Sequence, residues 1–333
     1  LTGFLAAFLA ASSLLHLPAR AQEKNCEATN LLAEAEAERP HLVRQLRQEA
    51  AGIPNGKGLL WRITKGSAPT SFLFGTMHLS DTRVLDIPTS AREAFKEARV
   101  VVIETTDVLD RKRIMASIAE NPDLTMFPAE EDITDHLAPD EQELLAAALA
   151  ERGMSLGSAA RMKPWILMSL LSLSQCEISR QNKGSVVLDV KLAQDAQASG
   201  KHLEGLESFA EQLTALSSLP MKLHVQGLVA SLRLGSRVDD MVETLTAIYL
   251  AGETGLFMPA TMGLLDHGEE AAQSYVAFEE AVINSRNRVM AERAQPLLEE
   301  GGAFLAIGTM HLPGEQGLIE LLREAGYSVE RID

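Results

Sequence analysis

The chain predicts an α/β fold whose central sheet is assembled from two βαβ-like halves, one at each end of the sequence, with a large helical insertion between them. Three observations carry this. The run Val100-Val101-Val102-Ile103 is wholly apolar and β-branched, as suits a strand buried on both faces. It follows a strand, turn and helix pattern, and that order is the βαβ unit. The third observation is a repeat: Phe74-Gly75-Thr76-Met77-His78-Leu79 near one end returns as Ile307-Gly308-Thr309-Met310-His311-Leu312 near the other. Each copy ends a short apolar run and precedes a helical pattern, so the chain is built to bring two histidines together.

At the N-terminus, residues 4–15 are almost unbroken Ala, Leu and Phe, and Ala19-Arg20-Ala21 offers the small residues a signal peptidase requires. The apolar run is shorter than the roughly 20 residues that span a bilayer. This reads as a signal peptide over residues 1–21, cleaved near Ala21, giving a periplasmic or secreted protein with no permanent membrane anchor. The sequence begins at Leu1 without a basic n-region. Residues 22–57 form an N-terminal segment, a surface helix broken near Arg39-Pro40, followed by a turn-rich linker from Gly52 to Gly58.

The main domain covers residues 58–333. Residues 59–64 and 71–74 read as a strand hairpin, residues 89–98 as a helix and residues 100–103 as the buried strand. The insertion, about residues 107–293, is helical in pattern. An amphipathic helix over 139–152 stops at Gly153, and Lys163-Pro164-Trp165 opens an apolar helix to about Cys176. Further helices follow over 186–198, 208–216, 221–234, 238–250 and 270–300, with a short strand over 201–205. The last unit is a strand over 303–307, a helix over 315–324 and a strand over 327–332.

Composition sets limits. Hydrophobic residues make up 46% of the 333 and charged residues 23%, the balance of a globular protein with an ample core. The net charge of −16 repels phosphate backbones, so nucleic acid is not a partner. Cys26 and Cys176 are the two cysteines. They leave two readings open, a disulfide tying the N-terminal segment to the helical middle or two unpaired thiols.

Function in open α/β sheets collects at the carboxyl ends of strands. His78, Glu104 and His311 each follow an apolar run closely. A glycine three residues before each histidine permits a tight turn or the close approach of a ligand. Two imidazoles and a carboxylate form a ligand set for a divalent metal that leaves positions for water and substrate. Such an ion activates water and polarises a carbonyl. The plainer reading of one strand-end histidine is a structural hydrogen bond, and of Glu104 a salt bridge. The five-residue repeat favours the functional reading, because a structural role does not need it twice. His16, His41, His136, His202, His224 and His267 read as ordinary residues.

The chain resembles the TraB/GumN family, to which the Tiki membrane-anchored proteases are related. The resemblance rests on the two Gly-x-x-His motifs (Gly75 to His78, Gly308 to His311) and the strand-closing Glu104. It extends to Lys163-Pro164-Trp165, to Gly200-Lys201 with Leu206-Glu207 and Glu211-Gln212, to Arg286-Asn287, and to His311-Leu312-Pro313-Gly314 with Gly317. It covers about residues 58–333. One position departs: Val187 stands where the family often has glycine before an aspartate, here Asp189, so no role is carried over to Asp189.

The resemblance implies metal-dependent hydrolysis of a peptide or protein substrate, with manganese or cobalt as the ion and zinc as an alternative. It makes His78, Glu104 and His311 the catalytic and metal-binding residues, and Glu207, Arg286 and Asn287 the groups that orient substrate or ligands. Arg286 would offer a fixed charge to a substrate carboxylate or an oxyanion. Its plainer reading is a surface cation paired with Glu279 or Glu280. Two other classes fit the same fold. One is a non-catalytic protein holding haem or another small molecule, although 5% aromatic content argues against a saccharide. The other is a protein-interaction module with a vestigial site.

Overall fold

The computed structural model describes residues 28–265 and 276–332. The signal segment, Cys26 and the first part of the helix expected over 270–300 lie outside them. Six strands form one sheet: β1 (Leu60–Thr64), β2 (Ser71–Thr76), β3 (Val100–Ile103), β4 (His202–Gly205), β5 (Ala303–Gly308) and β6 (Ser328–Arg331). Their order is β4-β3-β5-β2-β1-β6. The β1–β2 and β1–β6 pairs are antiparallel, whereas β5 runs parallel to both β2 and β3, and β3 runs parallel to β4. The sheet is therefore mixed, with the C-terminal strand β5 lodged between two N-terminal ones.

Burial explains that placement. Every residue of Ala-Phe-Leu-Ala-Ile-Gly in β5 and of Val-Val-Val-Ile in β3 is buried, so only the sheet interior accommodates either strand. Side chains alternate between two cores. Phe74, Val101, Ile103, Phe304 and Ala306 join one cluster, while Leu73, Val100, Val102, Leu305 and Ile307 join the other. The first cluster includes residues of the helices Leu188–Ala198, Arg237–Leu250 and Phe257–Leu264, and the second includes residues of Ser285–Glu300 and Leu318–Glu324. Two further cores lie within the insertion.

The N-terminal segment is broken at Arg39-Pro40 as expected, but it is seated in the core rather than lying on the surface. It forms two helices, Leu31–Glu38 and Pro40–Ala51, the second starting on a proline. Leu31, Leu32, Ala35, Val43 and Leu46 are buried in the main core. These few apolar positions among Glu, Gln and Arg supply a narrow stripe that seats both helices. Likewise the helix opened by Pro164 ends at Leu171, and a new one runs from Gln175 to Asn182 because the Ser174 side chain caps it at the Glu177 amide. Cys176 in that second helix is disulfide-bonded. The last long helix contains a π-helical stretch, Glu279–Asn284, before Ser285–Glu300. The C-terminal helix starts at Leu318, after the 3-10 turn Thr309–His311 and a loop. Among the described residues no helix is long and apolar enough to cross a membrane.

Candidate metal centre

Strands β2, β5 and β3 are parallel neighbours, so their carboxyl ends share one sheet edge. His78, Glu104 and His311 leave from those ends, and all three are buried, at 8%, 7% and 4% exposure. Gly308 lies at their centre. A Cβ on it would sit 2.8 Å from Glu104 Oε1, 3.4 Å from His78 Nε2 and 3.7 Å from His311 Cδ2. Glycine here is a requirement of close approach rather than of backbone angle.

Glu104 is held on both oxygens. The Gly308 amide donates to Oε1 at 2.8 Å, and Arg286 Nη2 and Gln212 Nε2 donate to Oε2 at 2.6 and 3.2 Å. Burial pushes its pKa up, but the Arg286 guanidinium, the two histidines and the Gly308 amide outweigh it and hold the group at about 2. Arg286 also donates to Glu207, from Nε at 3.1 Å and from Nη2 at 2.7 Å. The Glu207 and Leu206 amides donate to the Glu104 carbonyl at 2.7 and 2.9 Å, so the exit of β4 is stitched to the exit of β3. Burial raises the Glu207 pKa against the pull of Arg286. Arg286 thus lies inward between two carboxylates, not on the surface. It is Arg288 that pairs with Glu280, at 2.5 Å. With its fork taken by Glu104 and Glu207, Arg286 orients Glu104 rather than awaiting a substrate carboxylate.

The histidines have unlike partners. His78 Nδ1 lies 2.5 Å from Asp189 Oδ2, and Thr76 Oγ1 donates to Oδ1 of the same carboxylate. His311 Nδ1 lies 2.6 Å from Asn287 Oδ1, while Asn287 Nδ2 donates to the Gln316 carbonyl at 2.8 Å. Because the amide nitrogen is committed to a carbonyl, Asn287 presents an acceptor and His311 Nδ1 must be the donor. That leaves a lone pair on His311 Nε2. Burial lowers the pKa of both histidines. At His78 the Asp189 carboxylate, aided by Glu104, overcomes it and raises the value to about 9. At His311 burial and Arg286 together bring it to about 3.

Asp189 is the residue that sequence reasoning missed. It sits in the first turn of Leu188–Ala198, and Val187 before it is extended, with φ −68° and ψ 159°. Any residue adopts that conformation, so valine replaces the family's glycine without strain. The Leu188 amide donates to the Leu79 carbonyl at 3.2 Å, fixing this turn beside His78. Gln212, the second residue of the Glu211-Gln212 motif, also reaches Glu104.

The donor set fits a divalent ion by its chemistry. Each imidazole has Nδ1 fixed by an oxygen, the arrangement that aims Nε2 at a metal. His78 Nε2 and Glu104 Oε1 are 3.8 Å apart, and two donors about 2.1 Å from a common ion lie within about 4.2 Å of each other. Among the described residues no group of three or more His, Cys, Asp or Glu side chains stands close enough together to hold an ion as arranged here. With its pKa raised against burial to about 9 by Asp189 and Glu104, His78 must give up a proton before Nε2 can bind an ion.

Residues 59–331 match the model of the TraB/PrgY/gumN family. Three curated relatives are Metalloprotease TIKI1 of Danio rerio, 28% identical over 81% of this chain and 62% of its own length, Metalloprotease TIKI1 of Homo sapiens, 28% over 81% and 61%, and Metalloprotease TIKI2 of Xenopus tropicalis, 28% over 84% and 61%. The chain thus spans about three fifths of the length of these relatives. No solved structure matches it.

Proposed function

The chain belongs to the TraB/PrgY/gumN family, and from that premise we propose that it is a metal-dependent hydrolase that cleaves peptide bonds, exported to an oxidising compartment. One observation carries the chemistry. Two imidazoles, each with Nδ1 anchored on an oxygen, converge with an ionised carboxylate over Gly308. The peptide substrate is supported by relatives that are metalloproteases. Export is supported by the apolar segment before Ala21 and by the disulfide at Cys176.

His78 Nε2, His311 Nε2 and Glu104 would hold the ion. A divalent ion there supplies Lewis-acid polarisation of a carbonyl and acidifies water. Asp189 and Asn287 fix the imidazoles, and Arg286 with the Gly308 amide fixes Glu104. At a pKa of about 2 Glu104 is a weak base, so it serves as a ligand rather than as the proton acceptor.

The test is elemental analysis of protein purified without chelator, with digestion of a peptide library by the same sample. His78→Ala and His311→Ala are expected to lose both the ion and the cleavage. Metal content and cleavage unchanged in both variants would sink the proposal.

A further inference from the structure

A cavity of about 370 Å³ adjoins the second motif. We propose that it is a subsite for a substrate side chain with a long apolar stem and a cationic end, lysine or arginine, beside the bond to be cut. This rests on the peptidase reading above and adds a substrate class to it.

Two walls belong to elements that already build the metal centre. Met310 immediately precedes His311, and Gln316 supplies the carbonyl that holds Asn287. Ile283 and Asn284 close the π-helical stretch just before Arg286 and Asn287. Short π-helical stretches are found disproportionately at functional sites. Further walls come from residues 52–54 and from Thr254, Gly255, Phe257 and Met258. They are locked to the frame by backbone bonds. The Gly314 amide donates to the Pro54 carbonyl and the Gly255 amide to the Gly56 carbonyl, each at 2.8 Å. Gly56 and Gly255 approach so closely that a Cβ on either would meet the other's Cα at 3.0 or 2.9 Å. The cavity is therefore preformed, and its volume falls within the roughly 300–1,000 Å³ of ligand sites.

Its lining sets the chemistry. Ile53, Phe257, Met258 and Met310 offer apolar surface, while Glu279 and Glu315 supply carboxylates. Among the described residues that line it there is no Lys or Arg. Long cationic side chains lay their methylenes on apolar surface and keep the charge at a polar end. An anionic side chain of the same length would meet like charge.

The probes are capped pentapeptides Ala-Ala-Xaa-Ala-Ala in which Xaa is lysine, norleucine or glutamate. Binding is measured by calorimetry on the metal-free protein, and cleavage by mass spectrometry on the metal-loaded protein. Lysine is expected to bind on the order of tenfold tighter than glutamate, with norleucine between them. Glu315→Gln narrows the lysine-to-norleucine ratio. Met258→Trp, which fills the space, weakens lysine and norleucine alike, and the exposed Glu315 provides the test if that variant fails to fold. Peptides bound in this order but left uncut keep the subsite and sink the peptidase. Peptides cut or bound without preference, with Glu315→Gln silent, sink the subsite and keep the peptidase. Peptides neither bound nor cut overturn the subsite.

Discussion

The two Gly-Thr-Met-His copies are identical in sequence and unlike in surroundings. They sit on adjacent parallel strands, but Thr76 is paired with Gly308, so the copies are offset by one residue. The offset gives each glycine a different duty. Gly308 opens room for Glu104 and His78, while a Cβ at Gly75 would strike Thr309 Oγ1 at 2.7 Å and Leu312 Cδ2 at 3.1 Å. The threonines diverge too. Thr76 Oγ1 donates to Asp189, whereas Thr309 Oγ1 is buried with no hydrogen-bond partner among the described residues. The histidines diverge most, with a carboxylate behind His78 and an amide behind His311. What separates the copies is the side chain each finds across the fold, so equal motifs do not imply equal roles.

The sharpest break in this comparison comes from the glycines. Gly308→Ala forces the Glu104 carboxylate off the Gly308 amide, and ion affinity should fall about 10- to 100-fold, as when a group that supports a ligand is lost. Gly75→Ala overpacks Thr309 and Leu312 instead and should cost about 1–3 kcal/mol of stability, with His78, Glu104 and His311 left in place. Metal titration and urea denaturation on both variants check this. Equal loss of ion affinity in the two would erase the distinction.

Exchanging the histidine partners is the next test. Asp189→Asn gives His78 an amide like that of His311. The amide can accept from His78 Nδ1 and Thr76 can turn its hydroxyl to accept, so the fold tolerates it. The His78 pKa should drop from about 9, read from its imidazole signals in an NMR titration. Asn287→Asp is not its mirror image. Its carboxylate would face the Gln316 carbonyl now bonded at 2.8 Å, leaving two buried acceptors opposed at a cost of about 1–3 kcal/mol. A tolerant Asn287→Asp beside a damaging Asp189→Asn would reverse the assignment.

The same contrast sets a pH profile for the metal-free protein. His311 titrates near 3 when folded and near 6.5 when unfolded. The unfolded chain therefore takes up the proton first, and stability is lost as pH falls from 6.5 toward 3. His224, lowered by burial to about 4, adds to this acid side. His78 does the opposite: its stabilisation is complete below 6.5 and is lost as pH rises through about 9. A maximum near 6.5 should appear in urea midpoints taken across the range, and Asp189→Asn should flatten the alkaline flank alone.

How much of this the sequence disclosed follows from the range of each signal. The repeat, the buried Val-Val-Val-Ile and the glutamate closing it are local, and they led to His78, Glu104 and His311. That β5 would enter between β2 and β3 is a pairing between distant segments, and no local pattern specifies it. Asp189 was passed over for the same reason. Its bond to His78 spans 111 residues, and Val187, which departs from the family's pattern two residues ahead of it, has an extended backbone open to any residue. The π-helical stretch has no marker in Glu279-Glu280-Ala281-Val282-Ile283-Asn284, since i→i+5 bonding answers to the packing around it. Arg286 read as a surface cation would have had Glu279 and Glu280 within helical reach, and only burial against Glu104 and Glu207 decides otherwise.

The threonines give the smallest effect and the cleanest. Thr76→Val removes a donor from Asp189, which then relies on His78 as its hydrogen-bond partner, and it should cost about 1–2 kcal/mol. Thr309→Val replaces a buried hydroxyl that has no hydrogen-bond partner among the described residues with a methyl of similar shape. Burying an unmatched hydroxyl is itself unfavourable, so this variant should be as stable as the parent or more so. Sequence alone would rank the two substitutions as the same change made twice. Opposite signs in paired urea denaturation would show that the copies have separated into a hydrogen-bonded arm, tied through Asp189 to a charged histidine, and a packed arm beneath a neutral one. Matching losses would mean that Thr309 has a partner of its own and that the two arms are more alike than their contacts indicate.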